Sequence, residues 1–381
     1  MNLTGIAWRG YALPFRARYV TSGSRATSRY GLLVFLRTPE GLVGAGEVSP
    51  VGPGSAAEIT GFSESVEKQA TLLVGQEAQM ALQAVQKRDM PPEVRFGLET
   101  ALLDLGGQAA GRSLSELLGG VPSPLRVNAL IAAESPEQAV AEAREAVKLG
   151  FTSIKLKVGA AGLDRDEALV AAVRDAVGPG VRLRLDPNQA WDVDRAIESI
   201  EVLARYGLEY VEQPVPASDI AGLAAVRRAV TVPVAADEAL SSLDALRRLL
   251  KVDAASVFIL KAARLGGLTA ALNAARLAVQ AGQQVVVTTS LESSVGIAAS
   301  AHLASAIPSG GPAHGLATGL LLAGDLVSPG LLPERGVLVT PSGPGLGVKV
   351  DPALLRRYDI GIMGCAGSPS GLEEYLEPPV L

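Results

Sequence analysis

Eight short β-rich runs alternate with amphipathic segments of helical period between Val127 and Gly319, and this alternation restricts the fold more than any other feature. Repeated strand and helix units of this kind place their strands in a parallel sheet, and eight units close it into a (β/α)8 barrel. In the first helical segment, Ser135 suits the N-cap, Pro136 suits the first turn and Gly150 follows the last turn. The predicted strands are 126–132, 152–158, 181–186, 208–213, 232–238, 255–261, 283–289 and, more weakly, 314–318.

The regions on either side of the barrel have other patterns. Residues 29–50 predict a β-hairpin that turns at Pro39-Glu40-Gly41, and helices are expected around 56–74, 76–87 and 92–110. A strand-turn-strand pattern at 336–351 is predicted to return to this first domain, and residues 368–381 are predicted to form a tail. We therefore expect an α+β domain (1–122), a barrel (123–328) and a C-terminal segment (329–381) that returns to the first domain.

Charged side chains end five consecutive strands at the edge where a parallel barrel holds its active site. Lys155 and Lys157 end the second strand, and because side chains alternate between the two faces of a strand, both are predicted to point into the barrel. The next four strands end, 24 to 26 residues apart, at Asp186, Glu212, Asp237 and Lys261. One β/α unit has this length, so these side chains are expected to form one ring.

Three carboxylates in one low-dielectric site repel one another unless a cation joins them. A single carboxylate at a strand end is more often a helix cap or an ion-pair partner, but three in consecutive units favour metal binding. Because no Cys or His is close in sequence, all-oxygen ligation by Asp186, Glu212 and Asp237 predicts a hard ion, Mg²⁺ or Mn²⁺. Two neighbouring ammonium groups disfavour each other's charge, so one lysine is expected to have a lowered pKa and to act as a base.

The remaining reactive side chains are expected to be structural. Arg182 and Arg184 share the parity of the inward-facing residues and predict an ion pair low in the barrel. His302 lies in a helical segment, and His314 opens the weak eighth strand. Cys365 lies in a Gly-rich stretch with no His nearby in sequence, which argues against a nucleophile.

The composition excludes several classes of partner. There are 34 Lys and Arg residues against 39 Asp and Glu, a net charge of -5, so no basic field exists to bind nucleic acid. No window approaches the ~18 uninterrupted apolar residues of a membrane span, and the first residues do not resemble a signal peptide, which predicts a cytoplasmic protein without a membrane partner. A single cysteine fits a reducing compartment. The hydrophobic share of 48% is compatible with a homo-oligomer.

With these residues placed, the chain resembles the enolase superfamily over nearly its whole length: a capping domain, a modified (β/α)8 TIM-type barrel and a returning C-terminal segment. The order of motifs at successive strand ends (K-x-K, D-x-N, E-Q-P, D-E and K) is similar to that of the muconate-lactonising subgroup. The resemblance implies that Lys157 and Lys261 form the acid/base pair. Lys155 is expected to lower its neighbour's pKa and help hold the substrate carboxylate. The implied Mg²⁺ ligands are Asp186, Glu212 and Asp237.

Two further segments, TTSLESSVG (288–296) and HGLATG (314–319), are similar to segments of the o-succinylbenzoate synthases of menaquinone biosynthesis. The stretch DPNQAW (186–191) also fits that family's D-x-N-x-x-W pattern. Two departures exist: Ala239 stands where a Ser is common, and Ala262-Ala263 stand where a Pro is often found. The choice between this synthase and the N-acylamino acid racemases, which share the catalytic set, therefore stays open.

The resemblance implies a Mg²⁺-dependent lyase that dehydrates 2-succinyl-6-hydroxy-2,4-cyclohexadiene-1-carboxylate to o-succinylbenzoate. Lys157 would remove the proton α to the carboxylate, the metal would stabilise the enediolate, and hydroxide would leave. The alternatives are an N-succinylamino acid (N-acylamino acid) racemase, in which Lys261 becomes a partner base, and then a muconate cycloisomerase. All three act on small anionic substrates.

Polar residues after the seventh strand are candidates for binding the succinyl carboxylate. The hydroxyls and backbone N–H groups of Ser290, Ser293 and Ser294 would bind it without adding charge, and Asn188 is a further candidate. Ser293 or Ser294 equally suits a helix N-cap, and a helix N-terminus is itself an anion site. The capping-domain loops 19–31 and 49–55 are expected to close over the substrate.

Overall fold

The structure is a computed structural model that describes residues 1–20, 25–133, 135–308 and 310–377. Its N-terminal sheet contains β1 (Gly5–Val20), β2 (Arg25–Arg37) and β3 (Val43–Val48) in antiparallel order. The predicted hairpin is confirmed: Gly41, with φ 87°, turns the chain between β2 and β3, and its N–H donates to Thr38 O at 3.0 Å. Part of the predicted loop 19–31, residues 21–24, lies outside the described residues.

Helices cover one face of this sheet, at the positions that the sequence predicted. Ile59 and Val66 of the first helix pack with Leu98 of the third against Leu32 and Val34 of β2 in one buried cluster. This cluster gives the N-terminal domain, here called the cap, its own core. The helices of the cap are α1 (Ala56–Leu73), α2 (Ala78–Lys87), α3 (Pro92–Ala110) and α4 (Leu114–Leu117).

A parallel seven-stranded sheet with helices between its strands forms the second domain. Ser135 caps the first of these helices by accepting from Gln138 N at 3.2 Å, as predicted. A short strand, β4 (Pro124–Arg126), precedes the sheet. The seven strands are β5 (Ala129–Ile131), β6 (Ser153–Lys157), β7 (Arg182–Asp186), β8 (Leu208–Glu212), β9 (Val234–Ala236), β10 (Val257–Leu260) and β11 (Gln284–Val287), side by side in chain order. The helices are α5 (Pro136–Lys148), α6 (Leu163–Val177), α7 (Val193–Leu203), α8 (Ile220–Ala229), α9 (Leu243–Lys251), α10 (Ala262–Leu265), α11 (Leu268–Gln280) and α12 (Ser294–Ser305).

The predicted eighth strand is present only as two isolated parallel bridges. Val127 pairs with His314, and Thr288 pairs with Gly315, so the short segment 314–315 contacts both edges of the seven-stranded sheet. The N–H of Gly315 donates to Val287 O at 2.9 Å, and the N–H of Asn128 donates to His314 O at 3.0 Å. These bonds close the sheet into a modified barrel, which confirms the predicted fold class.

The interior of the barrel is filled below its C-terminal mouth. Tyr210, Ala235, Val257, Ile259 and Val286 form a buried cluster of their own below the strand ends. Each lies an even number of residues before the polar residue that follows or ends its strand. Because side chains alternate between the two faces of a strand, those polar residues point to the same interior side of the barrel as the cluster. An apolar floor therefore supports a polar mouth.

The C-terminal region contacts both domains. In the predicted strand-turn-strand segment, β12 (Val337–Val339) pairs with β4 of the barrel domain, which differs from the expectation, whereas Gly345 of the same segment forms a parallel bridge with Ser113 of the cap. After α13 (Pro352–Arg357), β13 (Asp359–Gly367) pairs antiparallel with β1 and adds the fourth strand to the cap sheet. Glycines interrupt the apolar alternation of β13, which explains why the pattern did not identify it as a strand.

The predicted tail is structured as far as residue 377. It contains α14 (Glu373–Leu376), and the buried Tyr375 stacks on Phe35 with ring centroids 4.0 Å apart. Residues 378–381 of the predicted tail lie outside the described residues. Within the described ranges, no helix has both the length and the apolar composition needed to cross a membrane.

Candidate active site

The charged strand-end residues meet at the C-terminal mouth of the barrel, as their spacing predicted. In the sheet register, Lys157 of β6 lies beside Asp186 of β7, while Lys155 lies beside Arg184. The alternate residues Ile154 and Leu156 are buried in the core between strands and helices. We call the following set the charged mouth: Lys155, Lys157, Asp186, Glu212, Asp237, Glu238 and Lys261.

Each lysine of the charged mouth pairs with carboxylates. Lys155 Nζ lies 2.8 Å from Glu212 Oε1 and 3.0 Å from Asp186 Oδ2, and Lys157 Nζ lies 2.7 Å from the same Asp186 oxygen. Lys261 donates to Asp237 Oδ2 on the other side of the barrel axis. Lys155 and Lys157 thus share one carboxylate, and Lys261 faces a different one.

The neighbouring carboxylates determine the charge state of Lys155 and Lys261. Burial lowers the pKa of Lys155, but the charges of Asp186 and Glu212 outweigh burial and hold this pKa well above its usual value. For Lys261, the charges of Asp237 and Glu238 likewise outweigh burial, and its pKa is raised. Each of these two ammonium groups contacts carboxylates directly, which stabilises its charged form.

The three predicted metal ligands are almost completely buried, with exposed fractions of 1 to 2%. Burial raises the pKa of Glu212 to about 7, and the charges of Asp186 and Asp237 add to this effect against the opposing charge of Lys155. For Asp186, the charges of Lys155 and Lys157 outweigh burial, and its pKa is lowered. Of these two carboxylates, only Asp186 has neighbouring positive charge that outweighs the effect of burial.

Carboxylate oxygens are suitable ligands for a hard divalent cation, but in this structure the carboxylates contact lysine ammonium groups. Within the described part of the chain, no three carboxylate, imidazole or thiol groups are already arranged as a metal-ligand cluster. Two carboxylate oxygens among the described residues, Asp237 Oδ1 and Glu238 Oε2, are buried without a hydrogen-bond partner, although Arg264 Nη1 lies 3.9 Å from the first. Buried oxygens without a donor indicate room for a further cation. The residue types therefore fit Mg²⁺, with Asp186, Glu212 and Asp237 as its predicted ligands.

Two residues that the sequence reasoning did not select position this mouth. The side-chain oxygen of Gln213 accepts from Asp237 N and Ala239 N, both at 3.0 Å, and so ties the end of β8 to the end of β9. Glu238 Oε1 accepts from Asn188 Nδ2 at 3.1 Å. Gln213 and Asn188 have φ values of 42° and 47°, an uncommon conformation for these residue types that concentrates at functional sites. The E-Q-P and D-E motifs contain both missed residues.

The candidate substrate-binding residues do not all reach the cavity. Asn188 lines it and contacts Lys157, and Ser290 lines it with a hydroxyl that is buried without a partner among the described residues. Ser293 is instead the N-cap of α12, and its hydroxyl donates to Glu47 Oε2 at 2.6 Å. The Ser294 hydroxyl donates to Asp325. Because both hydroxyls are fully buried in protein contacts, the expectation that they bind substrate is corrected.

A cavity of about 510 Å³ opens above the charged mouth. The cap contributes Val51, Gly52 and Pro53 from the predicted loop 49–55, together with Tyr19 at the start of the other predicted loop. Its apolar lining includes Leu130, Ile131, Phe151, Leu320 and Leu321, and Glu142 and Glu145 also line it. The cavity combines a charged base with an apolar wall, which suits a small organic anion.

The remaining reactive groups lie away from this chemistry. Arg184 is fully buried below the mouth, with Nε 2.6 Å from Glu209 Oε2, as the predicted low ion pair. Arg182 joins the same carboxylate group at 3.0 Å. His302 is buried between Ser115 and Leu346, and burial lowers the pKa of His314 to about 4. Cys365 is exposed on β13, in the cap sheet.

Two family models match most of the chain. The model described as "Enolase C-terminal domain-like" matches residues 138–354, and the model for the N-terminal domain of mandelate racemase / muconate lactonizing enzyme matches residues 12–119. The first spans β6 to β11 of the barrel with the charged mouth, and the second spans most of the cap.

Comparisons with individual proteins show similarity to members of the same superfamily. An o-succinylbenzoate synthase from Thermobifida fusca is 47% identical over 225 residues, 58% of this chain and 68% of that protein. A hydrophobic dipeptide epimerase from Enterococcus faecalis is 34% identical over 311 residues, 80% of this chain and 88% of that protein. The crystal structure of muconate lactonizing enzyme from Pseudomonas fluorescens superposes with a TM-score of 0.89 at 30% identity, covering 94% of this chain and 99% of that one.

Proposed function

Since the chain belongs to the enolase superfamily, we propose that it removes the proton α to a carboxylate with Lys157 as the base, and that its substrate is 2-succinyl-6-hydroxy-2,4-cyclohexadiene-1-carboxylate. The observation that carries the proposal is the pair of lysines, Lys157 and Lys261, that line one cavity from different sides of a carboxylate-rich mouth. The similarity to the T. fusca synthase supports the choice of substrate.

Asp186, Glu212 and Asp237 would hold Mg²⁺, which supplies positive charge that stabilises the negative charge developing on the substrate carboxylate. Lys155, in contact with Asp186 and Glu212, keeps positive charge at the base of the cavity. Asn188 contacts Lys157 and so fixes the direction of its Nζ.

The proposed reaction needs one proton acceptor and one leaving group. Lys157 Nζ takes the proton from the carbon next to the ring carboxylate, the C–H electrons form the new ring double bond, and the C–O bond breaks to release hydroxide. The proton and hydroxide together make one water, and the aromatic product is o-succinylbenzoate. Lys261 then acts as an electrostatic partner, because no second proton transfer at carbon is required.

The leading alternative is racemisation of N-succinylamino acids, and the presence of Lys261 favours it as the second candidate. A racemase needs a base on each face of the α-carbon, and Lys261 lines the cavity together with Lys157. The Ser290 hydroxyl, unpartnered among described groups, is the remaining candidate of the three serines for a succinyl carboxylate. Both reactions would use a succinylated substrate, whereas muconate has no succinyl group.

A substrate panel tests the proposal. Dehydration of the cyclohexadiene substrate with Mg²⁺, lost with a chelator, is expected, together with a preference for N-succinyl over N-acetyl amino acids in any racemase activity. Comparable kcat/KM for the two acyl groups and no dehydration would remove the synthase assignment. Lys157→Ala is expected to abolish activity. Substantial activity in that variant, with none in Lys155→Ala, would exchange the roles of the two lysines.

Metal binding is tested separately by calorimetry. Glu212→Gln removes one charged ligand with little change of volume and is expected to weaken Mg²⁺ binding more than ~10-fold, since even outer-shell partners change affinity by about that factor. Glu209→Gln, on the same strand but paired with Arg184, is the matched control. Equal Mg²⁺ affinity in the two variants would refute the ligand assignment.

A further inference from the structure

Arg29 is a fully buried cation outside the charged mouth, at the junction of the cap and the barrel. Its Nε donates to Leu291 O at 3.1 Å, across the domain boundary. Its two terminal nitrogens donate within the cap, Nη1 to Gly52 O and Nη2 to Ser49 Oγ. One side chain therefore connects the cap segment 49–53 with the barrel loop 290–293.

Both connected segments form the roof of the cavity. Val51, Gly52 and Pro53 line it from the cap, and Ser290 and Leu291 line it from the barrel. Arg29 thus binds two backbone carbonyls that belong to cavity-lining residues, one in each domain.

The backbone at the barrel contact is strained. Leu291 has a φ of 76°, a conformation that a bulky residue adopts only when its surroundings enforce it. Gly52, the cap contact, has a φ of 72°, which glycine adopts without strain. The barrel half of the roof therefore depends on contacts that hold Leu291, and the bond from Arg29 is one of them.

Other hydrogen bonds hold the residues next to Gly52 and Leu291, whereas Arg29 holds the carbonyl groups of these two residues. Tyr30 N donates to Pro53 O at 2.8 Å on the cap side. On the barrel side, Glu47 accepts from Ser293 N at 3.0 Å, and Glu292 accepts from Ser290 N. The guanidinium is a planar group with donors in three directions, a geometry that a lysine ammonium on a shorter stem does not reproduce.

We propose that Arg29 is a positioning residue that assembles the cavity roof before substrate binds, by holding segment 49–53 against Leu291. Because the roof is already ordered before substrate binds, no binding free energy is spent on ordering it. Losing it therefore weakens ground-state and transition-state binding alike, which raises KM and leaves kcat nearly unchanged. The proposal rests on the proposed function only through the choice of assay substrate.

The experiment compares Arg29→Met with Arg9→Met. Arg9 is also fully buried in the cap sheet, but it bonds Asp359 at 2.8 Å and Tyr375 O at 3.2 Å, in contact with the C-terminal segment. We expect Arg29→Met to raise KM ~10-fold or more with kcat changed less than ~3-fold, while Arg9→Met keeps the KM of the parent protein. Arg29→Lys is expected to restore only part of the loss.

Hydrogen exchange without substrate gives a second readout that does not depend on turnover. Arg29→Met is expected to speed amide exchange in 49–54 and 290–292, and Arg9→Met is not. Ser49→Ala is a milder variant that loses one of the three acceptors, and its KM effect should disappear in the Arg29→Met background because both act through one contact.

Unchanged exchange in both segments, or a KM shift equal to that of Arg9→Met, would overturn the proposal. A fall in kcat at constant KM would also overturn it, because it would place Arg29 in the chemical step rather than in the roof. If no substrate of the panel is turned over by the parent protein, the proposed function fails, and the exchange data still decide the role of Arg29.

Discussion

Asp104 on α3 makes folding stability depend on pH. Its carboxylate is 4% exposed and accepts from Ala45 N at 2.9 Å and from Leu346 N at 2.8 Å, so it joins the cap sheet to the segment that follows β12. Burial raises its pKa from 3.8 to about 6, although these hydrogen bonds act in the opposite direction. The folded protein therefore binds this proton more tightly than the unfolded chain does.

The size of the effect follows from the two pKa values. A shift from 3.8 to about 6 corresponds to about 3 kcal/mol of folding free energy. Because the pKa of Asp104 is higher in the folded protein, protonation of Asp104 stabilises the fold. This stabilisation is complete below the pKa of the unfolded chain and is lost as the pH rises through the pKa of the folded protein. Between pH 4.5 and pH 7.5 the loss from this group is about 2 kcal/mol.

Asp104→Asn removes the titration and isolates this contribution. The amide places an NH2 group against one of the two backbone donors, which costs ~1–3 kcal/mol at every pH. We expect the advantage of the parent protein over the variant, measured by urea unfolding, to shrink by about 2 kcal/mol from pH 4.5 to pH 7.5. Asp351→Asn is the control, because it makes the same change of charge at the partly exposed N-cap residue of helix α13. A difference that stays constant with pH would refute the reasoning.

Three further substitutions test the packing around the site. Gly345→Ala would place a Cβ 1.9 Å from Asp104 Oδ1 at a φ of 67°, so we expect a loss of ~3 kcal/mol or more by urea unfolding, whereas Gly343→Ala, with its nearest atom at 3.4 Å, should be nearly neutral. Glu47→Ala removes the carboxylate that accepts from the N-terminus of α12 and is expected to cost ~3 kcal/mol, seen as a lower urea midpoint. Arg184→Met is expected to cost ~1–3 kcal/mol of stability and to leave Mg²⁺ affinity unchanged in calorimetry, because Glu209 keeps only its exposed partner Arg182 and the proposed ligands are spared.

The geometry of the charged mouth could be predicted because it depends on periodicities within single elements. The two-residue alternation of a strand places Lys155 and Lys157 on one face, and the length of a β/α unit brings Asp186, Glu212 and Asp237 to one height. Neither argument needs information about distant contacts. The ring of strand-end residues was therefore accessible from the sequence.

The features that could not be predicted depend on contacts between distant parts of the chain. Ser293 and Glu47 are 246 residues apart, and nothing near Ser293 indicates that a cap-domain carboxylate will occupy its hydroxyl. The same holds for Arg29 and Leu291, 262 residues apart. The pairing of β12 with β4, which form a two-stranded sheet of their own, likewise joins distant parts of the chain. The lysine pKa values depend on which carboxylate each Nζ contacts.

The charge balance of the mouth links metal binding to substrate binding. In the described structure four carboxylates face three ammonium groups and the guanidinium of Arg264, whose Nη1 lies 3.9 Å from Asp237 Oδ1, so the formal charges balance: Asp186, Glu212, Asp237 and Glu238 against Lys155, Lys157, Lys261 and Arg264. A dianionic substrate entering this mouth meets no net positive charge, and one divalent cation would give the mouth a formal excess of two positive charges. The cation would also compete with the lysines for Asp186 and Asp237, and a lysine that loses its carboxylate contact becomes easier to deprotonate. We therefore expect o-succinylbenzoate to bind measurably in calorimetry with Mg²⁺ and at least ~10-fold more weakly with a chelator. Equal affinity under both conditions would show that the lysines alone neutralise the ligand.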